Sequence, residues 1–390
     1  MKTHLVAAVA LVALACPLRA QDTTSVEPDT TYVEYRESPI RLPMGIGLRV
    51  PSYDRVNGLT LPWGPEMVLG DDKVQLDALV SYRSNLGKWD PSLEGSIRLG
   101  TADEVKLYAG RGTFTNDGWI RSDLLNSAAA LFVGSDARNY YRADRASLRL
   151  IHTLGTSAVT LTPFIGGNIE RDWSTGSIAP QKAPWSFFGR KGNLRMLRPN
   201  PPVLKRRINS ILGGSGIQIS RAGLEGKLDV SVEHAFKGNQ TPVESAFTQT
   251  TIDSRVKFPT FGSQTFEFKG HALLAGGDIL PPQRFGYLGG SGTLATVNLL
   301  ALGGDNLLYL MGDYVIPIDR VVLPFVGSPF VALTYAAGNA GLGSIPTLIQ
   351  NVGIGAGVSL FRVDYSIDPA SNRSPLSRRS AVTFGVSLSL

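Results

Sequence analysis

The chain is poor in cysteine, in charge and in long apolar runs, and each shortage excludes something. Its one cysteine, Cys16, lies within the first twenty residues, so a chain cut after Ala20 has no disulfide framework and no thiol chemistry. Charged residues make up 18%, below the usual ~25%, and the formal net charge is a modest +6. No Lys/Arg stripe with interleaved aromatics occurs, which excludes nucleic acid as the expected partner and favours acidic surface groups such as lipid head groups. No segment beyond the N-terminus approaches the roughly 18–20 apolar residues of a membrane-spanning helix. Histidine is scarce as well, and none of His4, His152, His234 and His271 has metal-ligand spacing. Gly213-Gly214-Ser215-Gly216 and Gly289-Gly290-Ser291-Gly292 both fail the G-x-S-x-G pattern at its last position. Gly353-Ile354-Gly355-Ala356-Gly357 reads as alternating strand glycine without the helix that a dinucleotide loop requires. The expectation is a protein that is not an enzyme, with no catalytic residue, no metal and no cofactor.

Glycine, by contrast, is abundant, at 43 of 390 residues. Residues 1–20 read as an export signal: Lys2 is the positive start, Leu5 to Ala15 the apolar run, and Ala20 a small residue before a cut. Leu18 fits the small-x-small rule poorly, and a lipidated Cys16 after Ala15 is the alternative. Residues 21–39 are polar and read as a disordered lead-in with no room for a folded domain.

From residue 40 to 390 two-residue alternation dominates. Leu224, Leu228, Val230 and Val232 alternate with Glu225, Lys227, Asp229 and Glu233. Val256 and Phe258 alternate with Asp253, Arg255 and Lys257, and Phe266 and Phe268 with Glu267 and Lys269. Such patterning marks strands with two different environments on their faces. A soluble sandwich also alternates, but its strands run to about five or six residues. Strands of ten to thirteen residues, oily on one face and charged on the other, predict an all-β transmembrane antiparallel barrel. The wet face would then line a lumen with Glu225, Asp229, Glu233, Asp253, Arg255, Lys257, Glu267 and Lys269, joined by Lys106 and Arg149.

Connector lengths add a count. Fifteen strands are expected from Leu59 onward, with long connections at 115–142, 171–214, 276–305, 337–348 and 369–379 alternating with short turns. Bacterial barrels keep short turns in the periplasm and long loops outside. That parity calls for one more strand, at 40–50, giving about sixteen (14–16). Ser122 to Val133 has helical apolar spacing, so a short amphipathic helix is expected over one rim. The loop 171–214 is basic and aromatic, and reads either as a solvated interface loop or as a polyanion site such as outer-leaflet lipid phosphate. At the chain's end Thr383, Gly385, Leu388 and Leu390 take a polar-x-Gly-x-x-apolar-x-apolar spacing. This resembles the C-terminal signal that outer-membrane assembly machinery captures by strand addition.

The stretch from Pro281 to Pro317, PPQRFGYLGGSGTLATVNLLALGGDNLLYLMGDYVIP, is a long Gly-rich loop feeding a strand. Loops of that length are usually functional or disordered, and its few charges predict that it folds back into the lumen. Arg284, Phe285, Gly289, Gly290 and Leu294, followed by Gly303, Gly304, Asp313, Tyr314 and Pro317, resemble the signature of the BamA/TamA-type outer-membrane assembly barrels, the bacterial surface antigen family. Asp54 to Leu59 resembles a barrel opening found in some relatives. The resemblance implies a sixteen-stranded barrel in the bacterial outer membrane with a plugging loop. It also implies a role in inserting or translocating membrane proteins or lipids. The implied partners are outer-membrane lipid, the assembly machinery and a separate periplasmic protein, because no polypeptide-capturing POTRA domain is present. The alternative is a passive channel or surface binding barrel. One departure bears on the site: the family's loop Arg-Gly pair is Ala295-Thr296 here, and Phe330 to Gly338, where its acidic partner is expected, has no acid.

Overall fold

In hydrocarbon every backbone N–H and C=O must be bonded within the protein, which leaves helices or a closed ladder of strands. No helix here is long and apolar enough to cross a membrane. The computed structural model describes residues 38–70, 72–176, 184–188, 196–238, 246–321, 323, 327–359, 361–370 and 375–386. The expected signal, Cys16, most of the lead-in, Arg190, Lys191, Arg195, Leu388 and Leu390 lie outside them.

One antiparallel sheet of nineteen strand segments runs through the described chain. Three segments continue a neighbouring crossing past a kink, so the wall has sixteen crossings. The first two are interrupted: β1 is Ile40–Arg41 and Ser52–Asp54, and β2 is Gly58–Trp63 and Glu66–Leu69. Then follow β3 (Val74–Arg83), β4 (Lys88–Arg98), β5 (Asp103–Phe114), β6 (Tyr141–His152, continued by Leu154–Gly155), β7 (Val159–Trp173) and β8 (Arg207–Arg221). The second half is β9 (Leu224–Ala235), β10 (Phe247–Pro259), β11 (Thr265–Gly277), β12 (Asn306–Pro317), β13 (Pro329–Gly341), β14 (Ile349–Val358), β15 (Phe361–Ile367) and β16 (Ser380–Val386). Each strand pairs with its sequence neighbour. Arg221 lies directly opposite Leu224, so β8 and β9 are joined by Ala222 and Gly223 alone, at φ 48° and 81°. Both central residues of such a tight hairpin need positive φ.

The alternation sorts side chains as a barrel requires. Leu148, Leu150, Ile165, Ile211, Val352, Ile354 and Phe384 point away from the concave face and are exposed. Their neighbours Arg145, Glu170, Ser210, Asn351 and Arg362 face inward. An apolar exterior of this extent is untenable in water and suited to lipid.

Three boundaries differ from expectation. β8 starts at Arg207, not at residue 215, so the basic connection is 174–206. The glycines that obscure its alternation sit in a continuous ladder, with Gly213 opposite Ile165 and Gly214 opposite Phe164. The connection 318–328 is longer than the expected turn, and the outer connection 84–87 is shorter than its neighbours. It is clamped by Tyr82 against Trp89, with ring centroids 4.9 Å apart.

The helix over the rim is present as α1 (Asp123–Ala128), extended by a π-turn at Ala129–Val133. Ser122 Oγ caps it by accepting from Leu125 N, and Gly134, left-handed at φ 67°, ends it. Among the described residues no ladder joins β16 back to β1. Along this seam β1 is broken by a turn at Pro43–Gly45 whose Met44 has φ 53°.

Candidate functional site

The connection between β11 and β12 turns back against the concave face of the sheet. It makes a 3-10 turn at Pro282–Arg284, then a hairpin pairing Gly286–Leu288 with Leu302–Gly304. Glycine permits this path where backbones nearly touch. Gly289 has φ 121°, and a Cβ there would lie 2.1 Å from Asn298 O. A Cβ on Gly304 would lie 2.2 Å from Gly341 O, and one on Gly303 2.3 Å from the Tyr287 ring. Gly290, at φ 86°, donates its N–H to Leu294 O and Val297 O.

Two kinds of contact hold the loop. The first is polar and centres on Arg284. Its Nη2 lies 3.2 Å from Glu170 Oε2 on β7 and 3.3 Å from Glu233 Oε1 on β9. Its Nη1 donates to the Tyr141 hydroxyl of β6 at 2.9 Å. Arg145 Nε donates to the same Glu170 at 2.9 Å, so two guanidiniums face two carboxylates. Gln249 Nε2 on β10 donates to Arg284 O at 2.8 Å, and Gln283 Nε2 donates to Asp172 Oδ2 at 2.9 Å. Glu170 is fully buried and Arg284 nearly so. A buried pair holds only when its remaining donors and acceptors are satisfied, and this network meets most of them. Phe285, beside it, packs on Ile208, Ala235, Phe247 and Leu280.

The second contact is apolar. Leu288, Leu294, Val297 and Leu302 of the loop pack with Leu273, Leu307, Tyr309, Ala336 and Ala340 of the wall. Small residues on β13 make the room: a Cβ on Gly338 would sit 3.2 Å from Leu288 Cδ1. At the departure from the family pattern the docking is neutral. Thr296 N donates to Asn351 Oδ1 at 3.1 Å, and Asn351 Nδ2 donates to Thr296 Oγ1 at 2.8 Å. Asp313, on β12, pairs instead with Arg362 of β15, and Thr334 Oγ1 donates to it at 2.8 Å.

Beyond the loop a cavity of about 2430 Å³ remains, lined by Asp229, Asp253, Arg255, Glu267 and Lys269 among others. Arg255 Nε and Lys269 Nζ reach Glu267 Oε1 at 2.8 and 3.2 Å, and His271 Nδ1 meets Asp253 at 2.7 Å. Glu225 and Lys257 do not line this cavity; they lie opposite one another on the same face, nearer the short turns. Thr383 and Gly385 lie on β16 opposite Asp364 and Arg362. Among the described residues no three His, Cys, Asp or Glu side chains group to hold a metal. Sequence reasoning singled out Arg284 and Glu233 but missed Glu170, Tyr141, Arg145 and Asn351. The available signal was a carboxylate, Glu170, on the inward parity of a strand that continues past it.

The outer ends carry a second buried network. Asp54 carboxylate oxygens accept from Val56 N at 2.8 Å and Asn57 N at 2.7 Å, forming the turn between β1 and β2. That turn places Arg55, fully buried, between Asp136, Asn200 and the carbonyls of Arg138 and Arg198. In the same cap Asp117 accepts from Asn139 N at 2.7 Å through Oδ2, while its buried Oδ1 has no partner among the described residues. Burial pushes the Asp117 carboxyl up to about 7, against the Asn139 bond and the charges of Arg198 and Arg138. A carboxyl raised on folding stabilises the fold while protonated and loses that contribution as pH rises from the ordinary carboxylate range through 7. The outer loops should therefore open more readily as pH rises from about 4 to 7 and level off above 7, measured by limited proteolysis normalised at each pH to cleavage of an unfolded substrate, and Asp117→Asn should flatten that profile.

No protein-family model and no curated protein matches the sequence. Solved structures do. BamA from Haemophilus ducreyi lacking POTRA domains 1–3 is similar at 11% identity and TM-score 0.52, over 86% of this chain and 68% of that one. CdiB from Escherichia coli is similar at 12% identity and TM-score 0.48, over 89% of this chain and 62% of that one. CdiB from Acinetobacter baumannii is similar at 13% identity and TM-score 0.46, over 86% and 58%. The chain thus spans less than two thirds of either CdiB chain. A single antiparallel wall of sixteen crossings, a long connection folded onto its concave face and the superposition on BamA agree: the chain has the fold of a BamA-type β-barrel.

Proposed function

We propose that the chain is a plugged outer-membrane barrel that assists insertion or translocation of membrane proteins or lipids, working with a separately encoded periplasmic partner. The observation that carries this reading is the loop tied across the concave face through Arg284 to β7 and β9. A folded segment held against the concave face by buried ion pairs narrows the bore and argues against free diffusion through it. The seam between the first and last strands, which no ladder joins among the described residues, is where a client strand would add, and the apolar exterior supports residence in a bilayer. No step of this role calls for covalent chemistry, so the reading is non-enzymatic. The last strand, with Thr383 and Gly385, is the segment that assembly machinery would capture during the protein's own insertion.

The mixed-charge cavity favours a second reading, a passive channel, and two measurements separate them. In planar bilayers the wild-type protein is expected to show low conductance that rises severalfold on deleting 285–300. Vesicles containing it are expected to accelerate folding of a second, urea-unfolded barrel protein. Stable open conductance unchanged by the deletion, with no acceleration, would establish the channel and overturn the assembly role.

A further inference from the structure

The outward face of β5 to β8 carries a feature that plug and seam leave unused. Strand register aligns Arg111 opposite Asp144, Asp144 opposite Arg171, and Arg171 opposite Arg207. Four adjacent strands thus present one transverse row of three guanidiniums and a single carboxylate. Asp144 is taken by Arg111 in a two-pronged contact at 2.7 and 2.9 Å. Arg171 and Arg207 are exposed and make no ion pair among the described residues. Like charges directly opposite on a sheet repel, and an anion above this pair would relieve the repulsion that Asp144, shared with Arg111, only partly offsets. Lys205 adds a further exposed cation at the same end of β8. Arg142, one row further out, is already engaged by Asp90 through two 2.6 Å bonds and is not available.

The rows below change character at once. Two residues along each strand the row is Ala109, Ala146, Ile169 and Asn209, and the next is Leu107, Leu148, Gly167 and Ile211. Ile169, Leu148 and Ile211 are each about half exposed, at 50%, 51% and 52%. The two alanines beneath the arginine row help form a groove of about 1270 Å³ that runs from the cations into this apolar band. Trp173, outward on β7, stacks near Arg111 with the guanidinium 5.5 Å from its ring. Tryptophan at this level marks the boundary between hydrocarbon and head groups.

We propose that this groove binds a lipid of the outer leaflet whose head group carries phosphate. Its phosphate lies across Arg171 and Arg207 with Lys205 above, and its acyl chains descend over Ala109, Ala146 and the leucine row. Guanidinium forks match phosphate oxygens two at a time, and the apolar rows supply the complementary surface for the chains. A free anion would use only the upper half. The inference rests on the membrane placement proposed above.

The test uses the full chain refolded in detergent, with bound lipid counted by native mass spectrometry. Diphosphoryl lipid A, the same lipid without phosphates, and inorganic phosphate are the three probes. Wild type is expected to retain diphosphoryl lipid A, with at least about tenfold weaker binding in Arg171→Glu/Arg207→Glu. A milder Arg171→Gln/Arg207→Gln variant, checked for a folded barrel by its heat-modifiable gel mobility, is expected to fall between them. Equal retention by wild type and both variants, or equal retention of the phosphate-free lipid, overturns the site. Displacement of lipid A by millimolar inorganic phosphate overturns the lipid as occupant. Failure of folded wild type to insert into vesicles overturns the membrane reading instead, so the two failures are distinguishable.

Discussion

Replacing Arg284 with alanine is expected to unseat the loop and to cost about 3–5 kcal/mol, the usual penalty for leaving a buried partner uncompensated. Glu170, fully buried, would keep Arg145 but lose its second cation, and Glu233 would keep only Ser210, whose Oγ donates to it at 2.7 Å. The Tyr141 hydroxyl would lose one of its two guanidinium donors. The urea midpoint of the refolded barrel and its bilayer conductance should therefore move together, the first down and the second up. Removing one opposing charge as well discriminates this account from a general packing defect. Arg284→Met/Glu233→Gln should recover much of the stability lost in Arg284→Ala, because Glu170 keeps Arg145 at 2.9 Å and no carboxylate is left without a cation. A conductance unchanged in Arg284→Ala would show that the apolar half of the docking, around Leu288, Leu294 and Leu302, holds the loop unaided.

Arg55→Ala is expected to have the next largest effect, in the cap that the long connections form at the same end of the barrel. Arg55 donates to Arg198 O at 2.6 Å and Arg138 O at 3.1 Å, and also to Asn200 Oδ1. Arg138 O would keep Arg198 Nη2 and Asn200 Oδ1 would keep Tyr140 N, so Arg198 O is the acceptor left unmet, at a cost of about 1–3 kcal/mol. Its readout is local: trypsin should cut within 115–140 and 196–206 well before the strands release. Arg55→Lys should restore little, since an ammonium is a point charge and cannot span acceptors from two loops as a planar fork does. Asp136 would stay satisfied by Asn126, Tyr140 and two backbone amides, so the lost carbonyl contact and not a stranded carboxylate sets the size of the effect.

Much of this architecture is legible along the chain, because alternation is a local property. Leu228, Val230 and Val232 against Asp229, Ser231 and Glu233 declare two environments whatever the neighbouring strand does. The parity of long and short connections then orders the crossings, and the count of sixteen follows. Boundaries were harder where glycine interrupts the signal, as at Gly213 and Gly214, since a residue without a side chain says nothing about which face is oily.

The site was legible only in halves. Arg284 and Glu233 stand out in the sequence, one in the loop motif and one on the wet face, yet nothing local joins them. Glu170 is 114 positions from Arg284, and the two meet because the sheet curls and the loop folds back. The missing Arg-Gly pair at Ala295-Thr296 argued for a lost anchor. In the structure Thr296 docks on Asn351, and the charged anchor is Arg284.

By itself the sequence determined the class of fold, the approximate number of strands and which residues share a face of the sheet, because period-two patterning follows from strand geometry alone. Only the tertiary structure decided which charges meet, that the loop is held at Arg284, and that Arg111, Arg171 and Arg207 form one row. Those outcomes depend on inter-strand register and sheet curvature, and neither is encoded in any single strand.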